Sequence, residues 1–300
     1  MIKFRIAALL LLTSIPAFAG DTSKSVVDGP ATASDQPSDL TLSNFFSAGW
    51  DDAYNKRIDP DGAPDMALLH VQTNFLEREF RFDGYFQQNL GGDKTRSIGF
   101  FDALLAYSFN RRFMLEVVSN NEWLNPSKGD EEFGAAAALV ARIQLIDVPG
   151  SSYAFNLRVT TANPDIGVSQ TIFSPSLAGW QDLTCIGLKR VGLYYSIQYE
   201  GYEGAAKPGS KRNDIIYAAS LAKTWTDRDT RFIGNFTTFC EVYGTTTLDG
   251  SDRGSSAVNV TPGIRFNITR TNVIMAGVDL PISNPHDFDA TYRLTYIINF

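Results

Sequence analysis

Twelve charged side chains recur on one parity of alternating segments, and they are the residues best placed to act on another molecule. Arg81, Arg142, Arg158, Arg265 and Arg293 stand against Asp83, Asp102, Glu116, Glu200, Glu241 and Asp279, and Glu122 shares their parity. Arginines and carboxylates on neighbouring strands form charge-assisted hydrogen bonds and brace a narrow interior. Left unpaired around water, the same groups line a conduit and screen solutes by charge. The sequence is compatible with both uses.

Bond-breaking chemistry has no comparable set. The two histidines stand in His70-Val71-Gln72 and His286-Asp287-Phe288, and neither segment supplies the serine that a histidine base would activate. His286-Asp287 with Asp289 imitates an aspartate–histidine pair, but in an Asp-rich loop, and we assign it no catalytic role. Cys185 and Cys240 have no ligand-spaced histidine, which argues against a metal site. Cys240 falls on an apolar strand face and Cys185 near a turn two strands away, so the pair is expected to be unbridged. No cofactor, metal or enzymatic activity is expected.

The elements that must hold these charges are strands. In the last ten residues, Tyr292, Leu294, Tyr296, Ile298 and Phe300 share one face, and Thr291, Arg293, Thr295 and Asn299 share the other, broken by Ile297. The same alternation sets Val191, Leu193, Tyr195, Ile197 and Tyr199 against Gly192, Tyr194, Ser196, Gln198 and Glu200. Each strand therefore has a lipid-like face and a wet face. An arginine aimed at mid-membrane lipid costs about 2–4 kcal/mol, so the charged parity requires a polar interior.

From Met66 onward the pattern predicts strands at 66–89, 98–109, 113–123, 134–146, 152–162, 171–183, 191–202, 214–225, 231–247, 257–268, 272–283 and 291–300. The parity switches at Leu76-Glu77-Arg78-Glu79; a split there plus a strand around Phe45 would give fourteen. Twelve, with a bulge near Glu77, is preferred, because single-chain barrels generally have an even count with both ends on one side. Short connectors (110–112, 147–151, 227–230, 269–271) alternate with longer, charged ones (90–97, 125–132, 203–213, 249–256). Beyond the leader no apolar run approaches the roughly 20 residues of a spanning helix. Spanning strands must close on themselves to satisfy their backbone groups. The expected fold is an all-β, antiparallel, up-and-down transmembrane barrel.

Lys3 and Arg5, the apolar stretch Ile6 to Thr13 and Ala17-Phe18-Ala19 form a secretory leader over residues 1–19, which addresses the chain to the outer membrane of a Gram-negative bacterium. Residues 20–41 are small and polar, as in a disordered periplasmic lead-in. Residues 42–65 carry Phe45, Phe46, Trp50 and Tyr54 among several charges, too aromatic for a linker; they either plug the barrel or add a strand. Residues 66–300 form the barrel. With 21 Phe and 12 Tyr, the composition suits aromatic belts at both membrane surfaces. The formal net charge of −7 leaves no basic footprint for nucleic acid. No flat apolar interface marks an oligomer, so a monomer is expected.

Three stretches carry a family resemblance: Pro64 to Asp83 (PDMALLHVQTNFLEREFRFD), Leu177 to Leu183 (LAGWQDL) and the aromatic final strand. Over residues 42–300 they resemble the Gram-negative outer-membrane barrels of the transporter family associated with meta-pathway phenol degradation. The resemblance implies passive movement of a small aromatic or apolar molecule and assigns no binding residue. The expected function is a channel or passive transporter for small solutes, and the alternatives are a structural or surface-interaction barrel and, behind it, a hydrolase. Expected partners are outer-membrane lipid, a small solute, and the barrel-assembly machinery through the strand ending at Phe300.

Overall fold

A computed structural model describes residues 37–58, 62–90, 95–125, 132–162, 170–203, 213–283 and 288–300. The leader, most of the lead-in, His286 and Asp287 lie outside the described residues. The alternating segments form twelve strands: β1 (Arg78–Leu90), β2 (Thr95–Ser108), β3 (Phe113–Asn125), β4 (Glu132–Val148), β5 (Ser151–Thr160), β6 (Thr171–Asp182), β7 (Val191–Glu203), β8 (Asn213–Thr224), β9 (Gly234–Thr247), β10 (Ser256–Asn267), β11 (Asn272–Pro281) and β12 (Ala290–Asn299). Each pairs antiparallel with its sequence neighbours, and β12 closes onto β1, with Phe82 opposite Tyr296 and Gly84 opposite Leu294. Closure leaves no strand edge unpaired, as a hydrocarbon surround demands.

Exposed apolar residues such as Leu105, Leu139, Leu157, Leu221, Val242 and Leu294 ring the outer surface. A water-soluble protein rarely shows a contiguous apolar surface of this extent. Tyr107, Phe109, Trp225, Phe232 and Phe300 gird one end of the belt, and Phe133, Phe173, Tyr199 and Tyr292 the other. Both ends of the wall, Arg78 and Asn299, lie at the end with the short turns 109–112, 149–150 and 268–271, here the turn end. The opposite, loop end carries the longer connectors. The connection expected at 227–230 runs instead over 225–233 at the turn end, because Thr226 and Asp227 bond back to Ile233 and Asn235 and hold it as an ordered loop. Cys185, in a 3-10 turn after β6, and Cys240, on the lipid-facing side of β9, are unbridged.

The first strand is the main correction. It was expected from Met66 but begins at Arg78, and residues 62–77 run inside the barrel. Alternation over Leu69, Val71 and Phe75 is thus the imprint of a segment lying between walls. The parity switch at Leu76–Glu79 marks where that segment turns to become the wall, not a bulge. Residues 42–58 add no strand; Leu40 alone makes a bridge, to Asp147.

Candidate solute pathway through the barrel

Residues 37–57 cover the turn end. Leu40 and Asp147 exchange both backbone hydrogen bonds, at 3.0 and 2.9 Å. Arg112, fully buried in the β2–β3 turn, donates to the carbonyls of Ala48, Gln144 and Leu145, each at 2.9 Å, and to Asn44 Oδ1. Arg57 bridges Asp39 and Asp147. Gly49 has φ +87°, and a Cβ there would strike Leu40 and Arg112, so the close approach requires glycine.

Residues 62–77 then rise into the lumen and return. Such irregular backbone persists at membrane depth only when surrounding protein satisfies its polar groups. The inner wall does so with side chains. Asp182 accepts from the Ala63 amide at 3.1 Å, and the Tyr194 hydroxyl donates to the Pro64 carbonyl. At the apex, the carboxylate of Glu241 accepts from three successive amides, Leu69, His70 and Val71, at 3.2, 3.2 and 3.1 Å. On the way back, Ser196 Oγ accepts from the Gln72 amide, Gln144 and Ser152 donate to the Asn74 carbonyl, and Arg142 donates to the Phe75 carbonyl. Hydrogen bonds to a charged group contribute about 1.5–3 kcal/mol each, so the three on Glu241 form the strongest single anchor.

Apolar packing supplements the polar clasp. Ala63, Met66, Leu68 and Val71 pack with the inward-facing Trp180, Tyr194, Ala218, Ala222, Phe239 and Met275. Ala67 and Phe75 cluster with Val273 and Ile297. This explains the break in the final strand: Ile297 points inward because it meets the lumen segment. Phe239 lies flat on the wall over Gly263, whose lack of a side chain admits the ring.

All the charged residues singled out from parity face inward, and all but Arg265 divide into three settings. One set is braced: Arg81 binds Asp83 at 2.8 Å, Arg142 binds Glu116 at 3.2 Å and Glu77 at 3.6 Å, and Arg293 binds Asp279 at 2.6 Å. A second set holds the segment. Glu241 belongs here, and so does Asp279, whose Oδ1 lies 2.8 Å from His70 Nε2 while the His70 ring stacks on Tyr243 at 3.7 Å. His70 is an apex contact of the lumen segment. Arg265 is buried beside Met275, away from open space.

The third set, Asp102, Arg158 and Glu200 with Glu122, lines a cavity of about 360 Å³ at the loop end. Tyr85, Asn120, Asn121, Thr160 and Gln198 complete its polar lining. Tyr85 reaches into it across Gly99, where a Cβ would collide with the ring. Arg158 donates from Nε to Thr160 at 3.2 Å, and Glu200 accepts from Gln198 at 2.8 Å and Tyr202 at 2.9 Å. Asp102 accepts from the Asn121 amide, and Glu122 from Ser97. Among the described residues none of these four charges reaches an opposite charge at ion-pair distance. The bracing and lining arrangements that the sequence left open therefore coexist in one lumen, with Asp83 of the braced set directly across from Asp102 of the cavity.

Comparison of the structure with solved proteins agrees with the wall. The NanC porin superposes with a TM-score of 0.50 at 9% identity, over 74% of this chain and 98% of that one. The barrel has the fold of an outer-membrane porin. The KdgM porin aligns over 74% of this chain and 99% of its own, at 14% identity and a TM-score of 0.48. No protein-family model and no curated protein matches the chain. At these identities the likeness concerns the fold.

Proposed function

We propose that the protein is an outer-membrane channel or passive transporter for small solutes, with its periplasmic half closed by residues 62–77 acting as a plug. The observation that carries this reading is a closed barrel, apolar outside and charged inside, with a cavity at its loop end and a folded-in segment packed against the inner wall. The turn end, where both ends of the wall lie, would face the periplasm, and the loop end the exterior. Lipid would contact the apolar belt, and the assembly machinery would take up the strand ending at Phe300.

Cargo is a finer question. The resemblance to phenol-degradation transporters favours an aromatic or apolar solute. Trp180, Tyr194, Phe239 and Met275 would give it an apolar stretch once the segment had withdrawn. The cavity that a solute would meet first carries four charged side chains and favours a polar one. Uptake by a deletion strain of aromatic acids, alkyl aromatics, sugars and amino acids decides between them, since loss confined to one class names the cargo.

The filled lumen also favours a second reading, a structural barrel without an open pore. Planar-bilayer recording of the full mature chain separates the two. Discrete conductance steps support the channel; silence from folded wild type and from variants with a weakened plug supports the closed barrel.

A further inference from the structure

The four charges at the loop-end cavity are laid out in a definite order along the wall. Asp102 is on β2 and Glu122 on β3; Arg158 is on β5; Glu200 is on β7. Arg158 is therefore flanked by acidic positions, with β4 and β6 between, where Ala136 and Ile172 line the cavity without charge. Strands lie roughly 4.8 Å apart, so Glu200, two strands away in nearly the same row, stands on the order of 10 Å along the wall from the arginine backbone, and Asp102 and Glu122 stand further off. No direct ion pair closes these distances among the described residues, and the cavity between the side chains admits a small molecule. Elsewhere in the lumen arginines and carboxylates neutralise one another: Arg81 with Asp83, Arg142 with Glu116, Arg293 with Asp279. Around this open space charges of both signs lie without an ionic partner among the described residues and line one cavity.

The complement of this lining is a molecule with one anionic group for Arg158 and cationic groups for the acidic positions on either side. Arginine recognises a carboxylate through two parallel N–H donors. Neighbouring carboxylates such as Asp102 and Glu122 repel each other, and a cation placed between them relieves that repulsion. Three carboxylates against one arginine leave two negative charges in excess, so a simple zwitterion would under-fill the site. A cavity of about 360 Å³ falls at the lower end of the range for small-ligand pockets.

We propose that this cavity is a recognition site for solutes carrying one carboxylate and two cationic nitrogens, of which lysine and ornithine are the simplest. The solute carboxylate lies on the Arg158 guanidinium, one ammonium lies at Asp102 and Glu122, and the other at Glu200. The inference rests on the channel reading for its purpose, and on the cavity alone for its chemistry.

Isothermal titration of the detergent-solubilised mature chain with lysine, cadaverine and glutamate tests it. Lysine should bind saturably and at least tenfold more tightly than glutamate. Cadaverine, which lacks the carboxylate, should bind more weakly than lysine in the wild type and equally well in Arg158→Gln. In Arg158→Gln lysine should lose at least tenfold, and Glu200→Gln should weaken both diamines. Heat-modifiable electrophoretic mobility shows whether each variant keeps its barrel. Absence of saturable lysine binding, or glutamate bound as tightly as lysine, overturns the site without recourse to any variant, and an unaltered lysine affinity in folded Arg158→Gln does the same. Conductance recorded on the same preparation separates the two readings: conductance without lysine binding overturns the site and spares the channel, whereas lysine binding without conductance overturns the channel and spares the site.

Discussion

The Val71 amide donates to Glu241 Oε1 at 3.1 Å, and with the Leu69 and His70 amides on the same carboxylate it fixes the apex of the lumen segment to the middle of β9. Glu241 is fully buried, so its charge is balanced by these donors and not by water. Glu241→Ala removes the acceptor for three amides at once, at about 1.5–3 kcal/mol per charged hydrogen bond. The expected outcome is at least a tenfold increase in open time in single-channel recordings, with the barrel still heat-modifiable. An unchanged open time would show that the segment is held without the Glu241 anchor.

Gln72 and Ser196 give a reversible test of the same closure, because the Gln72 amide lies 3.1 Å from Ser196 Oγ. With Cys185 and Cys240 replaced by serine, a Gln72→Cys, Ser196→Cys pair should form a disulfide in the folded barrel. The oxidised protein should be silent in bilayers and the reduced protein should regain the open time of its parent. Equal conductance in the two redox states would remove the segment from the pathway.

How much of this was legible in the sequence depends on which neighbours a face has. Strand number, closure and inward parity follow from alternation, because lipid on one side and polar lumen on the other impose a period of two. The lumen segment was misassigned for the same reason: Leu69, Val71 and Phe75 alternate because they lie against walls, and an extended chain between walls carries the pattern of a strand. A signal was nevertheless present. Trp180, Phe239, Met275 and Ile297 stand on the inner parity, where a water-filled lumen has no use for them, and together they mark an apolar occupant. The division of the charges into paired and unpaired sets was not legible, since it depends on which pairs of strands share a height in the barrel.

Asp65 makes the closure depend on pH. Burial pushes its carboxyl up to about 7 from an ordinary 3.8, against the lowering effects of Lys56 and of the Asn74 amide, which donates to it at 2.9 Å. The docked segment thus binds the proton more tightly than the undocked one. The stabilisation is fully present below about pH 3.8 and is lost as pH rises through 7. Proteolysis within residues 62–77, or open time in bilayers, should therefore increase between pH 4 and pH 7. Lys56, whose amine burial pushes down, contributes with the opposite sign. Asp65→Asn should abolish the increase, and a rise that survives this substitution would assign it to another group.

Arg142 is the point at which lumen segment and wall depend on each other. Its guanidinium donates to Asn156 at 2.6 Å, to Glu116 at 3.2 Å and to the Phe75 carbonyl at 2.9 Å, and Glu77 lies 3.6 Å away. Removing one partner of a buried ion pair costs about 3–5 kcal/mol because the remaining charge is stranded, whereas replacing both with apolar groups is often close to neutral. Arg142→Met should accordingly lower the urea midpoint of the refolded barrel and release the segment, with Glu116 and Glu77 left facing each other. Arg142→Met with Glu116→Met should recover most of the barrel stability but not the closure, since the Phe75 carbonyl still lacks its donor. If the double variant were as unstable as the single one, the loss would lie in the hydrogen bonds to Asn156 and Phe75, not in the stranded charge.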